Sequence, residues 1–470
     1  MRLGATTRFT AVAAVVAAAC GDHTAPPPPR DAPAMAAARP DAGVELPARP
    51  LGLPDVGGFA WRKRGGQAEF RAAQVAERAG DWAAVAHACD RALAADPGHL
   101  DAQWLLAIAY AKQGLLRDVT GPLAIAAAGD FGKWADASLV HPALAAYLAT
   151  PAGQAWRRWV ERARAPYLAA LRRAIVVDAG GELFAYDAAG APPRWYRLTH
   201  ENGRVIGAFA SGRVLAYVAR GRAGALGAGV IDLDDGHTTH AVPVGAFGAE
   251  LAVVREPAGS DGAPGFWIGQ GAAARELALD GSTRATGRKR PGGPWLYVGP
   301  RGAARAIRVP IAGVAGDWDD HQIASAIKLA ATGRVITVPS PGVIAGNTIA
   351  WSPDRTHLAF VAQIADQCAP NAPAVAAFVA DAATGSASEL ATASKASAVE
   401  WIDDRRVAVA GDAGVAIYAI EGGAPLALAG STGLAAPAFR ARCAAADSEP
   451  ALPETEPEPE ADPDGSGSAD

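Results

Sequence analysis

Six short passages of strand-forming residues, each running into a turn glycine, recur down the second half of the chain. They are FAYDAAG ending at Gly190, VIDLDDG at Gly236, ELALDG at Gly281, IKLAATG at Gly333, FVADAATG at Gly385 and IYAIEG at Gly422. The glycines are 46, 45, 52, 52 and 37 residues apart. Glycine accepts the positive φ that a tight hairpin requires, so each passage reads as a strand entering a hairpin. A hairpin recurring at this interval leaves room for about four short strands per unit. The chain is thereby constrained to about six similar antiparallel sheets following one another in sequence.

The passage VIDLDDGHTTH, residues 230–240, carries enough acids and histidines to suggest a metal site. However, Asp232 stands where Asp187, Asp280 and Asp381 stand, at the end of a strand before a turn, where a short acidic side chain bonds nearby backbone N–H groups. His237 and His240 are three apart on a strand and point to opposite faces. Pro243 stands where an EF-hand would need its bidentate glutamate. The passage is read as a turn.

The stretch IAWSPDRTHLAFVAQ, residues 349–363, places a strand, a Trp-Ser-Pro-Asp turn and a second strand in succession. It resembles the blade opening of TolB-type and other WD-like β-propellers. AVEWIDDRRVAVAG, residues 398–411, repeats it more weakly, and GRVIGAFASGRVLAYVARG, residues 203–221, is a third copy without Ser-Pro-Asp. The resemblance covers about residues 175–428 and implies an all-β propeller of about six blades over residues 174–440.

Upstream the period changes. Apolar residues in 70–79, 82–95, 100–112 and 115–127 recur at helical spacing, with Gly80 and Gly114 separating the members of each pair 34 residues apart. The stretch AGDWAAVAHACDRALAADPGHLDAQWLLAIAYAKQG resembles tetratricopeptide repeats, with Ala92 and Pro97 ending one unit and Leu106, Ala107, Tyr110 and Gly114 matching the next. Residues 142–148 and 153–173 read as further helices broken at Thr150-Pro151 and at Pro166. Trp156, Trp159 and Val160 form an apolar stripe suited to capping the repeats. The fold class expected is therefore multidomain α and β, with a tetratricopeptide-like helical domain over 59–173 preceding the propeller. Pro166 and the loop near Asp178 are expected to let the two fold as separate cooperative units.

The ends carry an address. Arg2 and Arg8 precede an eleven-residue run, 9–19, too short to span a bilayer, which takes about 20 residues in a helix. Residues 1–19 read as an export signal. Ala17-Ala18-Ala19 before Cys20 resembles a bacterial lipobox, which implies lipidation of Cys20 and favours the outer membrane, or the periplasm. The same residues also satisfy an ordinary A-x-A signal peptidase. Residues 20–58 are rich in Pro and Ala and suit a tether behind a lipid anchor. Residues 441–470 form an acidic tail: residues 447–470 hold nine acids and no Lys or Arg. The formal net charge is −5, so the rest of the chain carries about +4, too weakly basic to point to nucleic acid. Of four cysteines, Cys368 and Cys443 are candidates for a disulfide in an oxidising envelope.

Local signatures of hydrolases, zinc proteases, NTPases and redox enzymes are missing, so no catalytic residue and no cofactor is assigned. GDWDDHQ, residues 316–322, leaves Asp317, Asp319, Asp320 and His321 as weak metal candidates beside the reading as a solvated loop. The expected function is a non-catalytic protein-interaction scaffold tethered at the bacterial envelope, with a protein or peptide partner and membrane contact through the lipid. The alternative is a propeller enzyme or small-ligand sensor acting on a peptide or glycan. If Cys20 carries the anchor, Cys20→Ala should move the protein from the membrane to the soluble periplasmic fraction on sucrose-gradient fractionation. An unchanged distribution would leave simple export.

Overall fold

The computed structural model describes residues 46, 52–56 and 65–439, excluding 212, 222–224, 237, 245–249, 256–263, 269–274, 278–282, 286–294, 299–303, 308–312, 318–322, 340–341, 365–374 and 392–395. Residues 1–19, Cys20, most of the 20–58 segment, residues 441–470, Cys368 and Cys443 lie outside the described residues, and with them the expected export signal, lipidation and disulfide.

Seven helices come first among the described residues: α1 (Gln67–Ala79), α2 (Trp82–Ala95), α3 (Leu100–Lys112), α4 (Thr120–Gly129), α5 (Phe131–Val140), α6 (Ala145–Leu148) and α7 (Pro151–Arg173). Their starts follow capping chemistry. Asp81 accepts from Ala84 N at 3.0 Å, Asp130 from Lys133 N at 3.3 Å and Thr150 from Gly153 N at 3.1 Å. Pro151 occupies the first turn of α7, where its missing N–H costs nothing.

The break expected at Pro166 is absent, and α7 runs through it. The proline removes one internal hydrogen bond. On either side of it, though, Trp156, Trp159, Val160, Ala163, Tyr167, Ala170 and Leu171 are all buried, and that packing holds the helix straight through. The whole of α5 went unforeseen, because Gly129 and Gly132 disguise its start.

The β region forms six antiparallel sheets in the described residues. The first holds β1 (Ile175–Ala179), β2 (Glu182–Asp187) and β3 (Arg194–Arg197). The second holds β4 (Val205–Ser211), β5 (Val214–Arg220), β6 (Leu226–Asp232) and β7 (Thr238–Val244). All six hairpins read from the glycines are formed. In VIDLDDG, Asp234 N donates to Asp232 Oδ1 at 2.8 Å and Gly236 closes on Asp232 O, also at 2.8 Å. Asp187 and Asp381 hold their turns in the same way.

Strand number is less regular than the glycine spacing suggests, since the third and fifth sheets have six strands and the fourth has three. The short strand Gly433–Leu434 at the far end of the chain pairs with β1, Val177 opposite Leu434. Apolar clusters join the fourth sheet to the fifth, the fifth to the sixth, the sixth to the first and the first to the second. The result is a succession of antiparallel sheets whose last strand is returned to the first sheet.

The helices do not stand apart from this array. One cluster takes Trp156, Trp159, Val160, Tyr167 and Leu171 of α7 together with Val176, Leu183 and Tyr196 of the first sheet and Leu215, Tyr217 and Ile231 of the second. Arg173 donates from Nε and Nη2 to the two carboxylate oxygens of Asp187 at 2.8 and 2.6 Å, and Arg172 donates to Asp234 at 3.2 Å. The end of the 20–58 segment is built in as well: Leu53 bridges to Trp195, Gly52 N donates to Ala128 O, and Val56 is buried against the first and sixth sheets.

This shared core replaces the expectation of independent folding with one of coupling. Trp156 is fully buried, stacks on Trp159 and donates from Nε1 to Ser138 Oγ at 2.8 Å. Trp156→Ala should cost about 3–5 kcal/mol. In denaturant titrations the helical circular-dichroism signal and the near-ultraviolet signal of the sheet tyrosines should shift together. Two separated midpoints would show that the helices unfold alone.

Candidate functional site

The site is assembled around two buried carboxylates. Glu182, the first residue of β2, has no solvent exposure. Its oxygens accept from Thr199 Oγ1 at 2.6 Å, Arg197 Nη2 at 3.2 Å, Glu201 N at 3.1 Å and Gly203 N at 2.9 Å. A buried charge is stable only with such compensation. Here the compensation also shapes the chain, winding the connection between β3 and β4 around the carboxylate. Arg197 closes the loop by donating from Nε to Thr199 O at 2.7 Å, and Asn202 takes the left-handed conformation at φ 58°.

Held this way, His200 reaches across to the helices, and its Nε2 lies 2.7 Å from Asp130 Oδ2. Asp130 is 3% exposed. Burial pushes its carboxyl upward, but His200, through charge and hydrogen bond, and then Arg197 and Lys133 outweigh this and hold it below the usual carboxylate range.

Between α5, α7 and the first two sheets lies a cleft of about 580 Å³. Phe131, Gly132 and Lys133 from the first turn of α5 form one wall and Tyr167 and Leu171 of α7 a second; the sheets contribute His200, Tyr217, Ile231 and Asp235 among others. At its rim Lys133 is paired with Asp101 and Arg164 with Asp136. Tyr217 donates to Glu201 at 3.2 Å. Tyr167 is 6% exposed, and its hydroxyl lies so near Gly132 that a Cβ added there would come within 2.6 Å of it. Burial, then the charge of Asp130, pushes the Tyr167 phenol well above its ordinary value, so it stays protonated and can donate.

Gly236 of the VIDLDDG turn lines this cleft; the metal candidate Asp317 does not. Asp317 is exposed at the end of a strand of the fourth sheet, while Asp319, Asp320 and His321 lie outside the described residues. No group of three metal-ligating side chains occurs among the described residues. Cys89 is free and buried, and burial pushes its thiol up to about 12. Asp130 carried a legible signal, as a cap ahead of FGKW. Glu182, His200 and Tyr167 carried none, since their roles depend on partners 15 to 70 residues away.

No protein-family model matches the chain, and no curated protein sequence does. Among solved structures, a puromycin-hydrolyzing peptidase of Mycobacterium tuberculosis is 15% identical over 48% of this chain, with a TM-score of 0.25. TolB from Acinetobacter baumannii is 13% identical over 54% of this chain, with a TM-score of 0.23. The β-propeller domain of the trilobed protease from Pyrococcus furiosus is 9% identical over 49%, with a TM-score of 0.20. The chain spans 37% of the peptidase, 64% of TolB and 71% of the protease domain. At these values none of them assigns an activity to this chain.

Asp130→Asn separates charge from capping, because asparagine caps a helix as well as aspartate. A carboxyl whose folded pKa lies below the unfolded value of about 3.9 stabilises the fold above that pH and ceases to as pH falls through the folded value. The stability difference between wild type and Asp130→Asn, read from urea midpoints, should be about 1–3 kcal/mol near pH 6 and shrink below about pH 4. A difference independent of pH would refute the charge argument.

Proposed function

We propose that the chain is a non-catalytic interaction scaffold of the bacterial envelope, held there through Cys20, that recognises a protein or peptide partner at the cleft between its helices and first two sheets. In this reading the helices form a tetratricopeptide-like array and the sheets a closed propeller of about six blades.

The observation that carries the reading is the prior commitment of the cleft's charges. Lys133, Arg164, Arg197 and His200 each face an internal carboxylate: Asp101, Asp136, Glu182 and Asp130. An imidazole oriented by a buried aspartate is half of a general-base arrangement. Among the described lining residues there is no serine or cysteine for it to activate, and the hydroxyl of the one threonine, Thr199, is spent on Glu182. A rigid, pre-paired surface suits recognition better than turnover.

A small-ligand sensor is the second reading, favoured by the cleft volume, which falls in the range of about 300–1,000 Å³ usual for small-molecule sites.

A photocrosslinking residue placed at Asp136 on the cleft rim should capture one discrete partner in native envelopes. The same residue at Val335, which is 56% exposed on the fourth sheet, should not. Identical adducts from both positions, or none from Asp136, would count against recognition at the cleft.

A further inference from the structure

Residues 431–439, at the far end of the described chain, touch more of the molecule than their two-residue strand implies. Thr432 donates from its backbone N–H to Asp178 O at 2.8 Å and from Oγ1 to Asp178 Oδ1 at 2.9 Å. Ala435 N donates to Val176 O of β1 at 2.9 Å, and Ala435 O accepts from Ala210 N of β4 at 2.8 Å. One residue therefore joins the first sheet to the second. Its side chain is buried in the same cluster as Tyr167, Leu183, Tyr217 and Ile231. Further on, Ala438 O accepts at 3.0 Å from Nδ2 of Asn347, which stands between strands of the fifth sheet. Phe439 N donates to Ser397 O, at the start of the sixth sheet, at 2.7 Å.

The first two sheets both wall the cleft, one through Thr199 and His200 and the other through Tyr217 and Ile231. At one end of their adjoining strands the chain ties them locally: the connection from β3 winds on Glu182, and Val205 N donates to Gly181 O at 3.0 Å. At the other end, between Val176 and Ala210, the backbone tie comes from Ala435. A packed core moves between discrete arrangements rather than deforming smoothly, so loss of this tie would reach the cleft walls. We propose that residues 431–439 are a staple that sets the spacing of the first two sheets and thereby holds the cleft in its binding shape. This rests on the recognition reading above and supplies its regulation: whatever frees Ala435 slackens the cleft. Ala435 is not among the described lining residues, so it acts as a positioning residue.

The test is native-state hydrogen exchange of the full chain in low denaturant, read by mass spectrometry. The amides of Ala210, Ala435 and Phe439 should open together with those of Glu201 and Gly203 in the loop that carries His200, while α2 and α3 stay protected. Ala435→Pro, which removes the N–H that meets Val176, should speed exchange of the Glu201 and Gly203 amides about tenfold and reduce capture from Asp136 to a similar extent. Ala435→Gly keeps both backbone groups and should restore most of the protection. Asn347→Ala releases only the contact with the fifth sheet and should leave loop exchange as in the wild type.

Separate opening of the loop and of residues 432–439 in the wild type would overturn the staple, and this comparison needs no substitution, so it decides the question even where Ala435→Pro does not fold. Unchanged loop exchange in Ala435→Pro while residues 432–439 lose their own protection would overturn it too. Equal acceleration throughout α1, α2 and α3 would do the same, reducing Ala435 to a contributor to global stability. Crosslinking from Asp136 reports separately on recognition: a wild type that captures no partner would remove that reading, while the exchange would still report whether the staple holds the cleft walls.

Discussion

The Asp130 carboxylate links three parts of the molecule. The backbone N–H of Asp130 closes the end of α4 on Ala126 O at 2.9 Å, Oδ1 caps α5, and Oδ2 meets His200 of the first sheet's outgoing loop. A carboxylate buried this deeply would be expelled or protonated without compensation. The compensation comes from both sides at once, from Lys133 on the helix and from His200 and Arg197 beside the sheet. The charge is tolerable only where helices and sheets meet in this register. The cleft lies where α5, α7 and the first two sheets meet around this charge.

The salt bridges that stitch α7 to the sheets have a different standing. Arg172 on Asp234 is close to half exposed, as is Arg213, which reaches the same carboxylate from between β4 and β5, so solvent screens both and they contribute little to stability. Arg173 on Asp187 is bidentate against a carboxylate only 2% exposed, which gives it more geometric authority. The apolar cluster around Trp156, Tyr167, Leu183 and Tyr217 supplies most of the attachment, and the ion pairs select its orientation. Pro166 inside α7 shows the same ordering of effects: one lost backbone hydrogen bond is outweighed by a continuous buried face.

What could be read beforehand follows from the range of each interaction. The turn aspartates 187, 232 and 381 act within four residues of themselves, so their hairpins were visible in the chain. The boundaries of α2 and α3 were visible for the same reason, being set by nearby caps and a periodic apolar face. The uneven strand count of the middle sheets was hidden, because pairing depends on neighbours rather than on any one segment. The cleft was hidden altogether. Glu182 looks like the polar start of an ordinary strand until Thr199, Glu201 and Gly203 fold over it, and Tyr167 looks like one more core aromatic until Gly132 is set against its hydroxyl.

That dispersal also bears on function. The cleft draws its walls from α5, α7, the β3–β4 connection and the hairpins of the second sheet, so no contiguous motif can describe it. Its fixed features are those a binder needs: an apolar lining from Phe131, Leu171 and Ile231, and ion pairs that need no ligand for their own stability. Because the last strand is returned to β1 and the residue 52–56 segment is strapped across Trp195, both ends of the described chain are tied to the sheet whose loop carries His200. A ligand seated there would contact walls already held by the shared apolar cluster and by internal ion pairs. Little ordering would accompany binding, and selectivity would arise from fit to Gly132 and Tyr167 rather than from closure around the ligand.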